Sequence, residues 1–424
     1  MNNDAPRTGI GRRGFLKTAG LAAGAALLPG AGYWAWRSAG PKEALKLALL
    51  WPRAGRSSAQ LDAWLAGFAL KAEQSGGRLG GREFVLSSEA IGPAGTPFTA
   101  VRQNLEQGAD ILIAGVGPGV AAQLSADVAE HDATLVASGI GVNIPRAAEV
   151  SEHVIHAGSS QWQAEWALGA HAARQVGQRG VIASSLYESG FDGVYAFRRG
   201  FEGAGGELLD TLISHRPIDP PDLAPLMARI AEFQPDFVYA AYTRREAREF
   251  LQAFRQAGLG KHVPLLVSGF FADDAALPEL GQDAVGLRSA APWLPTTAAA
   301  DNVEFQRAFL ARHGRAADAF AVLGYQTAQL LDAAIGRSRG EGRGRRFREA
   351  LATVQLDGPA GRLRVDPALR AAATPVYLRE VRAEAGGLIG GSLGQLADGA
   401  AIDPRRDPVF MAVRSGWTNA YMSI

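Results

Sequence analysis

The segment ADILIAGVGPGVAAQL, residues 109–124, sets Gly115, Gly117 and Gly119 between an apolar run and a helix-like pattern. Strand, glycine turn and helix can cradle a phosphate, because N–H groups at a helix start favour negative charge. The details argue against a nucleotide. A dinucleotide fingerprint puts its third glycine where Val120 stands and ends the next strand in an acid. Here that strand ends in Ala137-Ser138-Gly139. A phosphate loop closes on Gly-Lys-Ser/Thr, and this one continues Gly119-Val120-Ala121. What survives is a donor-lined cup for a small ligand. Gly117 and Gly119, on either side of Pro118, admit a ligand close to the backbone. A second glycine loop, Gly139-Ile140-Gly141, follows the neighbouring strand. Tight turns alone would also account for these glycines.

Other chemistry is sparse. The seven histidines are scattered, and His153 and His156 sit on a strand-like segment, where a spacing of three points them to opposite faces. No His-Glu-x-x-His, EF-hand or Gly-x-Ser-x-Gly pattern occurs, and cysteine is absent. We therefore assign no catalytic residue, no metal and no cofactor, and expect no enzyme. Were there one, its acid or base would come from Glu188, Asp192, Asp273 or Asp274.

The elements that must position these loops alternate. Leu45–Trp51, Phe84–Leu86, residues 110–114 and Thr134–Ala137 are short apolar runs that predict buried strands. Leu61, Trp64, Leu65 and Phe68 fall at helical spacing, and further helices are predicted near Thr99–Gln107 and over 119–130. A second run pairs strands Val181–Ser184, Leu208–Ile213, Phe237–Ala241 and Val263–Val267 with helices at Tyr195–Glu202, Leu223–Phe233 and Arg244–Ala257. Helices return at Val303–His313 and Phe320–Ile335, with short strands at Gly361–Val365 and Val376–Val381. Such units predict an α/β fold of two doubly wound parallel-sheet lobes. From Ala383 to Asp407 the chain has little periodicity and reads as an extended tail, ending in Trp417 to Tyr421, whose aromatics could dock on the body.

With 424 residues, 47% of them hydrophobic, the chain has material for two cored domains. A net charge of +1 gives no case for nucleic acid, and the six arginines of Arg337–Arg348 read as a solvated loop and helix start. Arg12 and Arg13 precede Phe15-Leu16-Lys17 and an apolar stretch free of acids up to about Trp36. This has the form of an export signal and resembles a twin-arginine signal, either cleaved or kept as a membrane anchor.

The order of blocks adds a family resemblance. LALLWPRAG, GADILIAGVGPGVAAQLSADVAEHDATLVAS, ESGFDGVYAFRRGFEGAGGEL, PDFVYAAYTRREAREFLQAFRQAGL and LGYQTAQLLDAAIG follow one another. From about Leu45 to Val381 the chain resembles the type I periplasmic solute-binding proteins of ABC importers, the group of branched-chain amino acid and amide receptors. The resemblance implies a clamshell with a ligand cleft between two lobes that close by hinge bending. It places crossovers near Ala157–Ser160, Pro292–Pro295 and Asp357–Gly361. Lobe one would be 42–158 plus 294–356, and lobe two 159–293 plus 357–382, after a signal or anchor at 1–40 and before an extension at 383–424. It implies a small-molecule ligand, an ABC permease in the inner membrane as partner, the twin-arginine machinery for export, and a periplasmic location. A ligand sensor for a signalling partner, or an enzyme on the same fold, are the alternatives.

Residue by residue, the family's ligand-holding Ser and Thr correspond to Gly117-Pro118 and Val142, its second-lobe tyrosine to Gly190-Phe191 beside Tyr187, and its ammonium-binding acid to Phe270-Phe271. An ammonium group against two phenylalanines would be costly to bury. The expected walls are aromatic: Trp51, Tyr187, Phe191, Tyr242, Phe270 and Phe271. They suit an apolar or aromatic ligand, with any carboxylate on the two glycine loops.

Overall fold

The computed structural model describes residues 32–35, 43–52, 57–91, 96–214 and 222–407. Arg12, Arg13 and the aromatic end at 417–421 lie outside them. The first strands are β1 (Gly32–Ala35), β2 (Leu45–Pro52), β3 (Phe84–Ile91), β4 (Ile111–Ala114), β5 (Thr134–Ala137) and β6 (Val154–His156). Next come β7 (Arg179–Ser185), β8 (Glu207–Ser214), β9 (Phe237–Ala241), β10 (Leu265–Val267) and β11 (Arg288–Ala291). Last are β12 (Gln355–Gly358), β13 (Gly361–Asp366), β14 (Ala371–Ala373), β15 (Pro375–Glu384) and β16 (Gly387–Asp398). The longer helices are α1 (Ser57–Gln74), α2 (Thr96–Glu106), α3 (Pro118–Glu130), α4 (Gln161–Gln175), α5 (Asp192–Gly203), α6 (Ala224–Phe233), α7 (Arg244–Gln256), α8 (Ala300–His313), α9 (Ala319–Arg337) and α10 (Gly344–Ala352).

Two sheets result, ordered β1-β3-β2-β4-β5-β6-β14-β13-β12 and β16-β15-β11-β10-β9-β7-β8. β2 to β6 pair in parallel, as do β7 to β11. Their residues are apolar at consecutive positions because both faces are covered. Leu47, Leu49 and Trp51 pack with α1 and α9, while Ala48 and Leu50 pack with α2 and α3. In the second sheet Val238 and Ala240 join α6 and α7, and Tyr239 and Ala241 join α4 and α5.

In each lobe one helix pair crosses at glycines. A Cβ on Gly67 would lie 1.8 Å from the Ala321 carbonyl oxygen, and one on Gly324 would lie 1.9 Å from that of Trp64. In lobe two the same holds for Gly169 against Phe197 (2.1 Å) and Gly200 against Trp166 (2.0 Å). Backbone therefore rests on backbone in both lobes.

The chain passes between the sheets at 157–160, at 292–299 and at Thr374. The last position corrects the expected crossing at Asp357–Gly361. Those residues form a tight hairpin, Gly358 opposite Gly361, and Gly361 takes φ +87°. Ala371 of β14 then pairs in parallel with His156. Residues 357–373 thus extend the first sheet and belong to lobe one. The tail also differs from expectation. Residues 387–398 are a strand, paired antiparallel with β15 from Glu384–Gly387 to Pro375–Asp398. Beyond it, Asp398 meets Arg364 (2.6 Å) and Arg405 meets Asp366 (2.9 Å), both in lobe one, while Asp407 meets Arg199 of lobe two (2.7 Å). Among the described residues no helix is long and apolar enough to cross a membrane.

Candidate functional site

The carboxyl ends of parallel strands face the crevice where ligands bind in open α/β sheets. Trp51 is the last residue but one of β2, Gly115–Pro118 follow β4, and Gly139–Asn143 follow β5. These segments line one cavity of about 270 Å³. Gly115 has a packing reason: a Cβ there would lie 3.2 Å from the Trp51 ring and 2.9 Å from Pro52 Cδ. Gly117 is the N-cap of α3, in extended conformation and without a side-chain cap, and Pro118 takes the first helical position. The first-turn N–H groups of Gly119 and Val120 therefore lack a capping side chain and can receive an anion. Gly119 itself lies inside that turn and does not line the cavity.

The second loop is held by the first crossover. Gly141 adopts φ +71°, and a Cβ on it would fall 2.5 Å from Ser160 N. Gly139 O accepts from Ser159 N (3.1 Å), and Gly141 O from Trp162 N (3.0 Å). Carbonyls thus turn to the hinge. Deeper along the same cavity stands His156. Burial, and then the charge of Arg370, lower its pKa to about 4, so the imidazole is neutral at neutral pH.

From lobe two, Tyr187 and Phe191 meet edge to face at 5.1 Å. They pack with Phe270 against Ile140 and Val142 of lobe one, and with Phe320. Phe191 is 3% exposed and Ile140 8%. Phe320 is one of the lining residues that sequence reasoning missed, with Trp162 and Arg364. Phe320 opens α9, which Asp318 caps through Ala321 N at 2.9 Å, and its ring stands 6.4 Å from Trp51. An Asp cap before an apolar helical start was the available signal.

Two expected wall residues are placed elsewhere. Tyr242 and Phe271 lie in the core of lobe two, at most 1% exposed, with Tyr242 stacked 4.5 Å from Phe250. Burial raises the Tyr242 phenol pKa. The acids considered for catalysis are engaged in structure. Asp192 bonds Ile144 N (2.8 Å) and Arg146 (3.1 Å), Glu188 accepts from Thr243 (3.1 Å), and Asp273 holds Ala276 N (2.9 Å). Asp274 adds its charge near the buried Arg379. Among the described residues no three His, Asp or Glu are grouped to hold a metal. The cavity is lined by Trp51, the two glycine loops and Phe320, whereas Tyr187, Phe191 and Phe270 do not line it and pack beside it on Ile140 and Val142.

Known proteins share this architecture. The chain is 26% identical to an ABC transporter substrate-binding protein from Sphaerobacter thermophilus, with TM-score 0.75 over 84% of this chain and 98% of that one. It is likewise 26% identical to a solute-binding protein of an ABC transporter from R. palustris in complex with benzoate, with TM-score 0.68 over 84% and 97%. A Leu/Ile/Val-binding protein homologue from Brucella abortus is 26% identical over 54% of this chain, and the match spans 60% of that relative's length. The profile of the family described as periplasmic binding protein matches residues 44–387. With two parallel-dominated sheets joined by three crossovers, the chain belongs to the periplasmic binding protein family.

Proposed function

We propose that this protein is the extracytoplasmic receptor of an ABC importer, and that it captures a small aromatic acid between its lobes and delivers it to the permease. The observation that carries the reading is the apolar cluster shared across the cleft by Ile140, Val142, Tyr187, Phe191, Phe270 and Phe320. Such walls stabilise a ring by burial and by edge and face contacts. A carboxylate finds donors at the start of α3 and along Gly139–Val142. The α-ammonium of an amino acid would be buried against phenylalanine with no counter-charge. The benzoate complex of the R. palustris relative supports the ligand class. The protein acts by binding, not by turnover.

The test is titration of the purified protein with benzoate, 4-hydroxybenzoate and leucine. Benzoate or its hydroxy derivative at about a hundred times its Kd should stabilise the native state by about 2.7 kcal/mol, a rise of a few degrees in melting temperature. Leucine should give none, and a shift with leucine alone would sink the reading. Trp51→Phe keeps the core filled and should weaken the aromatic acid about tenfold, the upper worth of one aromatic contact.

Export uses the twin-arginine route through Arg12 and Arg13. A variant with lysine at both positions should be retained in the cytoplasm as precursor. Normal export of that variant would exclude this route.

A further inference from the structure

Glu165 is 2% exposed, one turn into α4, in the interior of lobe two. Its Oε1 accepts from Gly269 N and from Gln161 Nε2, each at 2.9 Å, and its Oε2 accepts from Tyr239 Oη at 2.8 Å. Gln161 also donates to the Ala290 carbonyl at 3.2 Å. Arg379 takes the other side of the same turn. It donates through Nη2 to Gly269 O and through Nε to Ser289 Oγ, the latter at 2.8 Å. Gly269 therefore has its N–H and its C=O both held. Its missing side chain is required, because a Cβ would fall 2.2 Å from Gln161 Nε2.

The positions of these partners are informative. Gln161 follows the crossover at 157–160, Ser289 and Ala290 precede the one at 292–299, and Arg379 follows Thr374. One carboxylate and one guanidinium thus gather the lobe-two side of all three hinge strands at a single glycine. The next residue is Phe270, which packs with Phe191 against Ile140 and Val142 of lobe one, the cluster proposed to face the ligand. Burying a carboxylate is costly, and an apolar side chain would fill the space more cheaply for stability alone. Desolvation raises the pKa of Glu165, and the Gly269, Gln161 and Tyr239 bonds with the Arg379 charge oppose that rise.

We propose that Glu165 is a positioning residue: through Gly269 it ties the Phe270 wall to the three hinge strands and so sets ligand affinity. The proposal rests on the reading of the cleft as the ligand site. It makes lobe closure and ring contact a single event, since Phe270 cannot shift without pulling on the hub.

The test has two arms. In the ligand-free protein, hydrogen exchange over 268–271 should accelerate about tenfold in Glu165→Ala, the loss of a hydrogen bond to a charged group. Tyr239→Phe should accelerate it by a smaller factor, and Glu165→Gln should largely restore protection. In the second arm, Glu165→Ala should weaken benzoate about tenfold in the native background and less than about twofold in Phe270→Ala. Unchanged exchange at 268–271, or equal effects on binding in both backgrounds, overturns the proposal. If Glu165→Ala does not fold, Tyr239→Phe decides by the same exchange measurement. A protein that binds no aromatic acid refutes the ligand class, and the exchange arm still decides the role of Glu165.

Discussion

Asp192→Ala should cost about 3–5 kcal/mol of stability, the price of stranding a buried charge, and shift the lobes toward an open arrangement. Asp192 is 1% exposed and joins the two lobes through both carboxylate oxygens and its N–H. Its Oδ2 accepts from Ile144 N at 2.8 Å and from Arg146 Nη1 at 3.1 Å, and its Oδ1 from Arg146 Nη2 at 3.2 Å. Its own N–H donates to Asn143 Oδ1 at 3.1 Å. All these partners follow the second glycine loop of lobe one, whereas Asp192 begins α5 of lobe two. Removing the carboxylate takes two hydrogen bonds and the Asp192 charge away from the buried Arg146 guanidinium. Denaturant unfolding measures the stability loss, and solution scattering measures the lobe arrangement. A variant with native stability and native scattering would show that the pair does not hold the lobes.

The second large effect is steric. Gly324→Ala puts a methyl carbon 1.9 Å from the Trp64 carbonyl oxygen, and main chain cannot yield as a side-chain tip can. Overpacking of a core typically costs about 1–3 kcal/mol, and a backbone neighbour puts this case at or beyond the upper end. The damage reaches the cleft. Trp64 Nε1 donates to Ser138 Oγ at 2.9 Å, which meets Thr327 Oγ1 at 3.0 Å, next to the second glycine loop. We expect a drop of many degrees in melting temperature together with weakened binding. Gly203→Ala is the control. A Cβ there meets nothing within 4 Å, and the helix should gain a little from the substitution. Equal melting temperatures for the two variants would refute the packing argument.

Parallel strands were the most readable elements, because burial on both faces leaves runs such as Ile111–Ala114 with no polar residue. Starts of the expected helices were recoverable within a few residues, but α4 (Gln161–Gln175) was not foreseen. Membership in a sheet was not. GRLRVD reads as a strand, but neither it nor the three alanines of β14 shows locally which sheet it joins, and their lobe is decided by the distant partner His156. Strand β16, with Gly387, Gly390, Gly391 and Gly394, reads as loop and is held extended by its antiparallel ladder to β15, which carries two register shifts. In the cleft, the glycine loops were visible as punctuation after strands. Phe270 and Phe271 were seen as a pair, but the structure buries one in the core and turns the other to the cleft. Sequence shows only the pair. Tyr242 failed for the same reason, its ring stacking on Phe250 of a helix that local pattern does not connect to it.

The glycine crossings of Gly67 with Ala321 and of Gly169 with Phe197 have a mechanical consequence. With main chain against main chain there is no soft layer to compress, and close-packed interiors transmit strain rather than absorb it. The lobes then behave as the jaws of a caliper. On the proposed reading, the thickness of a ligand held between Phe320 and Phe270 would be converted into an angle at the three connecting strands rather than into dents in the jaws. A guest slightly too thick would be gripped yet leave the jaws ajar. Its size would be legible to a downstream reader from the spacing of two distant surfaces, without that reader touching the guest.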